Sequence, residues 1–491
     1  MMQKNCSNVN LCSLIGKQRC NLVRFKTILS VPLYLSCSMR ALFSSKVYHA
    51  PLSVSDTATL SGMLKPLPVY RTTLNNGLRV VVIPKHSAPV VSVCVAYHVG
   101  SYDEYTTATG GNYGFAHLFE HLMFEGSENV AHGMFDRYCS TAGGENNAYT
   151  TFDKTMYYMT LPAHQVELGL WLESDRMGGF AISEDSLTAQ KNVVLEEINQ
   201  NVENQPYGKF GHIFNRLAFA PECGYGHDVY GDTNHIAQST LDDVRTFYRT
   251  FYRPDNAVLL IVGDIQPDKG FALADQYFGH IVNADIVKPH KEFHTTFRLG
   301  NRYQCVEDTI PTPTLFTSFH FDGFTQSDYM TAEIIASILS DGMSSRLYKS
   351  LVYDQQIAAE TNMWVDDRFH TSLVTLYSIA AVPDTSCDML YASTMQVLRE
   401  LASAGIDERE LTKAKNRMMT RIAKSYQRVS GIADEAAHQA LFFDDPARMF
   451  SLMDGFLAVT ADDIQTFAQK VFVENNQVRI DFIPLQQPLT A

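Results

Sequence analysis

The chain has 491 residues, with 39 Lys and Arg against 53 Asp and Glu, and a formal net charge of −14. At about 100–200 residues per domain, that length provides two to four domains and a sizeable core. The charge is uneven: residues 1–55 carry seven basic residues and no acid, so the rest carries 32 basic against 53 acidic residues, a net of −21. No large basic surface remains to neutralise phosphates, which excludes a general nucleic-acid binder.

Residues 1–52 are expected to be a targeting leader that is removed, and 53–68 a polar linker. A basic, acid-free, Ser- and Leu-rich segment has the composition of an organellar transit peptide. The stretch 39–46 alone would serve as a short one, which makes Met39 a second candidate start. The competing reading is a secretory signal, with Arg24 and Lys26 as its basic region and 27–37 as an apolar core interrupted by Pro32. No other apolar run approaches the ~18–20 residues needed to span a bilayer, so no transmembrane segment is expected in the mature chain. Four of the nine cysteines lie in the leader. The other five (Cys94, Cys139, Cys223, Cys305, Cys387) are widely spaced, never paired as Cys-x-x-Cys, and read as buried free thiols.

After the linker, 78–84 and 90–99 read as β-branched strands around a turn at 85–89. Gly110, Gly111 and Gly114 then lead into a helix over 115–124, with a second helical stretch at 134–139. Gly143 and Gly144 break the chain before a hairpin, 146–152 and 155–161, turning at Asp153-Lys154. Helices follow over 163–177 and 184–201, and the apolar run 257–262 reads as a buried strand. A boundary falls within 265–300, beyond which the order repeats coarsely: strand 314–321, helices 332–339 and 346–353, strand 372–381, helices 388–404 and 408–425. The expected architecture is α+β: two homologous domains, 69–275 and 276–491, each a mainly antiparallel sheet packed with helices.

The sharpest local feature is His117-Leu118-Phe119-Glu120-His121. On a helix, His117 and His121 lie one turn apart on one face, so two imidazoles can hold one zinc, and Glu120 can act on a water there. This is the inverted zincin order, H-x-x-E-H. A catalytic zinc needs a third protein ligand, and the 184–201 helix offers Glu197. Glu197 shares a face with Leu187, Gln190, Val193, Val194 and Asn201, so it reads either as a packed carboxylate satisfied by a cation or as the solvated end of a weak helix. The run from Gly143 to Phe152 reads either as an ordinary hairpin or as an edge that accepts an extended peptide by strand addition, with Asn147 and Ala148 as substrate-contacting residues.

Together these residues resemble the pitrilysin-type (M16) metallopeptidases, particularly the mitochondrial processing peptidase β subunit and its bacterial relatives. The resemblance runs over about 420 residues, from Val69 to the end. His117, Glu120 and His121 match the family motif, and Glu197 follows His121 by 76 residues, the family's third-ligand spacing. Similar segments include Trp171-Leu-Glu-Ser-Asp-Arg-Met177, Tyr252-Arg-Pro-Asp-Asn256, and Ser344-Ser-Arg-Leu-Tyr348, whose Arg346 is a substrate-binding candidate. The resemblance implies one Zn²⁺ per chain, held by His117, His121 and Glu197, with Glu120 as the catalytic base of an endopeptidase. It implies extended or unfolded peptide substrates, with organellar targeting peptides as candidates, and a second M16 subunit as partner in a homo- or heterodimer. It also gives the leader a mitochondrial address, in the matrix; a secreted or periplasmic location is the alternative. The rival function is a non-catalytic core or assembly subunit of a respiratory or processing complex.

The departures are specific. Gln190 stands where many members carry a further Glu beside the site, which removes an outer carboxylate. The stretch 201–208 is similar to bacterial members, and Tyr207 and Gly211 occupy positions where acids would meet a presequence arginine. The second half has no H-x-x-E-H, and 372–381 lacks the Arg of single-chain members.

Overall fold

The computed structural model describes residues 66–104, 111–287 and 293–485. The expected leader, the linker up to residue 65, and Gly110 lie outside the described residues. The strands form two mixed sheets. The first comprises β1 (Tyr70–Thr73), β2 (Arg79–Pro84), β3 (Val90–Tyr97), β4 (Glu145–Thr150), β5 (Thr155–Pro162) and β6 (Ala257–Gly263), in the order β1-β2-β6-β3-β5-β4. The second comprises β7 (Arg302–Asp308), β8 (Thr314–Asp322), β9 (Ala358–Asp366), β10 (Thr371–Ala380) and β11 (Gln477–Pro484), in the order β7-β11-β8-β10-β9. Pairing is antiparallel throughout except β2 with β6 and β7 with β11.

With β1 set aside, the sheets match strand for strand, and side-chain details repeat with them. Thr155 and Thr371 each donate a hydroxyl 2.9 Å to a carbonyl at the end of the neighbouring strand, Val99 and Phe321 respectively. A Cβ at Gly100 or Gly323 would lie 2.3 or 2.1 Å from the facing carbonyl of Phe152 or Phe369, so neither position admits a side chain. The helix before each closing strand starts with a capping box, Thr240 with Asp243 and Thr460 with Asp463. Asn256 and Asn476 then each tie the preceding helix to the sheet through two carbonyls. The molecule is a duplicated α+β unit.

The helices of the first half are α1 (Phe115–Leu122), α2 (Met134–Thr141), α3 (Val166–Gly178), α4 (Glu184–Ile198), α5 (Phe210–Ala218), α6 (Thr233–Gln238), α7 (Leu241–Phe251) and α8 (Pro267–Phe278). Those of the second are α9 (Asp328–Ser340), α10 (Cys387–Ala404), α11 (Glu408–Ser425), α12 (Val429–Phe443), α13 (Leu452–Ala458) and α14 (Ala461–Val471). None among the described residues is long and apolar enough to cross a membrane.

Central strand β6 is buried along its whole length, which explains its unbroken apolar run. Leu259 and Ile261 face the helices of their own half, whereas Val258, Leu260 and Val262 face α12 from the other half. Ala433, Ala436, Ala437 and Ala440 let α12 lie close against that sheet. The exchange is reciprocal: Phe210, Ile213 and Phe214 of α5 pack on Phe316, Leu373, Tyr377 and Phe482 of the second sheet.

Three local expectations are corrected. Helix 184–201 is α-helical only to Ile198 and continues as a π turn, Asn199–Glu203. The helix expected at 346–353 is largely a π turn, Tyr348–Asp354. Cys305 is exposed, on outer strand β7, while the other four described cysteines are buried thiols.

Candidate metal centre

Every residue of α1 is buried, so its two histidines are fixed by packing on all sides. Their Nε2 atoms face each other at 3.4 Å. Antiparallel to this pair, α4 begins on a Ser183 cap with Glu184 and Asp185 in its first turn, and brings Glu197 across from α1. Glu197 Oε2 lies 3.3 Å from His121 Nε2 and 3.8 Å from His117 Nε2. Zinc–nitrogen and zinc–oxygen bonds of about 2.0–2.1 Å in a tetrahedron place donor atoms roughly 3.4 Å apart. Two imidazoles and a carboxylate at the observed separations therefore fit a zinc ion, and the three groups all converge within 4.8 Å.

The electrostatics suit ligation. Burial, reinforced by His121 alongside, lowers His117 to about 4, so its ring is neutral and its lone pair available. Burial acts to raise the Glu197 carboxyl, but the His121 hydrogen bond, both imidazoles and Asn201 outweigh it and hold the group below its ordinary range. Burial pushes Glu120 up to about 7, against the opposing pull of its hydrogen bond from Thr150. That bond, Thr150 Oγ1 to Glu120 Oε2 at 2.7 Å, ties the acid to strand β4. β4 is the outer strand of its sheet, paired on one side with β5.

The face expected for α4 is rotated from the one read in the sequence. Val194 is buried but Val193 is half exposed, so Glu197 sits at the margin of the packed face rather than in line with both valines. Gln190 donates its amide to Glu125, which also lies 2.7 Å from His132 Nδ1, and so supports the loop after α1. Asn147 and Ala148 lie on β4, where the Asn147 side-chain oxygen accepts from the Ala148 N–H at 2.8 Å. Arg346 is placed elsewhere: its guanidinium is held by Glu410 at 2.6 and 3.0 Å and by the Gly405 carbonyl at 2.9 Å. Those bonds make the residue a brace between segments of the second half.

Residues not singled out from the sequence surround the triad. Asn201, in the π turn, reaches Glu197 Oε1 at 3.4 Å and the Tyr230 hydroxyl at 3.3 Å. The Tyr230 ring meets His117 edge-on, centroids 5.2 Å apart. The π turn that carries Asn201 is visible only in the structure, and such bulges concentrate at functional positions. The second half holds the corresponding helix pair, α9 and α11, with different chemistry. Aligning Glu125-Gly126 with Asp341-Gly342, and cap Ser183 with cap Asp407, sets His117 against Glu333, Glu120 against Ala336, His121 against Ser337, and Glu197 against Arg421. Arg421 lies 3.4 Å from Glu333 and 3.5 Å from Asp341. A guanidinium there occupies the role a cation would have.

The fold and site together are a duplicated α+β chain with an H-x-x-E-H helix and a distant Glu in one half only. Residues 79–217 match the family model described as Insulinase (Peptidase family M16), and 238–418 match the one described as Peptidase M16 inactive domain. The chain belongs to the M16 peptidase family. The triad lies wholly in the first of these segments. The chain is 27% identical over 429 residues to the zinc protease PqqE of Helicobacter pylori, covering 85% of this chain and 94% of that protein. It is 24% identical over 388 residues to the probable mitochondrial-processing peptidase subunit beta of Schizosaccharomyces pombe, covering 75% and 81%. Among solved structures, a protease from Helicobacter pylori matches with a TM-score of 0.78 and 25% identity, over 86% of this chain and 100% of that one.

Proposed function

We propose that the chain is a zinc-dependent endopeptidase acting on extended or unfolded peptides. The observation that carries this reading is the convergence of His117, His121 and Glu197, with buried Glu120 beside them and hydrogen-bonded to an outer strand. When bound, zinc supplies Lewis acidity toward the scissile carbonyl and acidifies a water. Glu120 takes the proton from the attacking water and delivers it to the leaving amine; a carboxyl near 7 is suited to both steps at neutral pH. The outer edge of β4 pairs with the substrate as an added strand, with Asn147 and Ala148 at the contact. Because Thr150 belongs to β4, the register of the peptide and the position of Glu120 are set by one strand.

The reading assigns one zinc per chain, since Arg421 takes the corresponding place in the second half. The Tyr207 hydroxyl is committed to Thr314 at 2.9 Å, which favours general peptides over basic presequences as substrates. A second M16 subunit as partner is supported by likeness to a protein named as a subunit. The same likeness supports a mitochondrial address. The test is cleavage of an unfolded peptide by the purified chain with zinc. Activity should vanish on chelation and return with one equivalent of zinc; cleavage that persists in chelator contradicts the proposal.

A further inference from the structure

We propose that Glu104 is a positioning residue for the metal centre, and that it acts with the loop 227–231 to aim the two imidazoles at Glu197. This rests on the metal-centre reading above. Helix α1 spans only eight residues and begins at Gly114 in the left-handed conformation, φ 96°, with no side-chain cap of its own. Its first free N–H groups are taken instead by Glu104, ten residues upstream, at the end of the turn that follows β3. One carboxylate oxygen accepts from the Gly114 N–H and the other from the Ala116 N–H, both at 2.7 Å. His117 is the next residue. A carboxylate at the positive end of a helix is favourable, and this one is wholly buried, so water cannot substitute for it.

Glu104 is held in turn by His227, whose Nε2 lies 3.0 Å from Oε2; against an ionised carboxylate this nitrogen is the donor. The His227 ring stacks on Tyr113, centroids 4.1 Å apart. Four residues on, Gly231 lies so close to the helix start that a Cβ there would fall 2.1 Å from the Gly114 nitrogen. Between them, Tyr230 meets the His117 ring and, through Asn201, the Glu197 carboxylate. One short loop thus touches the anchor of α1, its first histidine, and the group that holds Glu197. Fraying or tilting of a two-turn helix at its first turn would swing His117 first, and ligand geometry tolerates only about 0.5 Å.

The test uses Glu104→Gln, which keeps the shape but replaces one acceptor by a donor facing an N–H. Zinc affinity is measured by chelator competition on the full chain, at a temperature where near-ultraviolet dichroism shows the metal-free protein folded. Affinity should fall roughly 10–100-fold, the range for removing an outer partner of a ligand, and the visible absorption of the cobalt(II)-loaded protein should change. Unchanged affinity and an unchanged cobalt spectrum, with only a lower melting temperature of the metal-free protein, overturn the proposal and make Glu104 a fold-stabilising cap. If this variant does not fold, His227→Phe keeps the stack on Tyr113 and deletes only the N–H toward Glu104. A smaller loss of zinc affinity in that variant supports the proposal, and unchanged affinity overturns it. Failure of the wild-type chain to bind zinc overturns the metal-centre reading together with this inference, whereas a zinc-binding wild type with indifferent variants overturns this inference alone.

Discussion

Thr150 links two parts of the site that are 30 positions apart in sequence: its hydroxyl stabilises the ionised form of Glu120, and its backbone belongs to the strand proposed to meet the peptide. Replacing it with Val removes the donor at nearly constant shape. The Glu120 carboxylate then loses a stabilising bond, its pKa rises further above the ordinary carboxyl range, and the acidic limb of kcat/KM moves to higher pH. A limb that stays in place or moves down contradicts the assigned role of this bond. His117, Glu120 and His121 were legible because they lie within five consecutive positions, where helix geometry alone sets their directions. Glu197 was only half legible. Its face could not be read from neighbours, since Val193 is exposed, and the 76-residue spacing after His121 rested on resemblance. The brace that Arg346 forms was not legible, because its partner Glu410 is 64 positions away. Glu104 was not read at all, because its bonds go to backbone groups and leave no residue pattern.

At the scale of the element, the Trp171–Met177 segment that resembled the family is explained by a buried ion pair within α3. Arg176 is bound by Glu173, with Nε 2.8 Å from Oε2, and its guanidinium lies 4.3 Å from the Tyr157 ring centroid and 4.6 Å from that of Phe135. Both side chains are almost wholly buried. Glu173→Ala leaves that cation without its counter-charge, and loss of one partner from a buried pair costs about 3–5 kcal/mol. Equilibrium denaturation should show this drop; a change within error would mean that the aromatic rings alone satisfy Arg176. Strands β2 to β5 were legible from alternation and turn residues. The π turns were not, because the apolar spacing continues through them while the hydrogen bonding changes. The repeated Thr-x-Asp-Asp at 240–243 and 460–463 was visible in the sequence and is the clearest mark of duplication, yet it occurs only once in each half and so shows no short period.

Across the whole molecule, the two halves are joined by an exchange of helices and by their hairpin turns. Asp153 in the β4–β5 turn accepts from the Phe369 N–H at 3.0 Å in the β9–β10 turn, and from the Tyr225 hydroxyl at 2.7 Å. Next to it, Arg368 sits with its guanidinium carbon 3.7 Å from the Phe152 ring centroid and donates to Asn215 at 2.7 Å. Burial raises Asp153 from 3.8 to about 7. Between those values the folded chain holds a proton that the unfolded chain has released, so this residue lowers stability as pH rises through the window, with the full penalty above it. The melting temperature of Asp153→Asn relative to wild type should therefore shift in the variant's favour between pH 4 and pH 8; a difference that moves against the variant as pH rises contradicts the sign. None of this joining was legible in the sequence. An Ala-rich amphipathic stripe such as that of α12 does not say which sheet it covers.

The central claim is that three groups hold zinc and a fourth moves the proton. Glu120→Gln tests it most directly, with zinc content and peptide cleavage measured on the same preparation. The account predicts one zinc per chain retained and cleavage reduced roughly 10²–10⁴-fold, the usual contribution of a general base. Near-wild-type cleavage with zinc in place would contradict the account, as would loss of zinc together with activity.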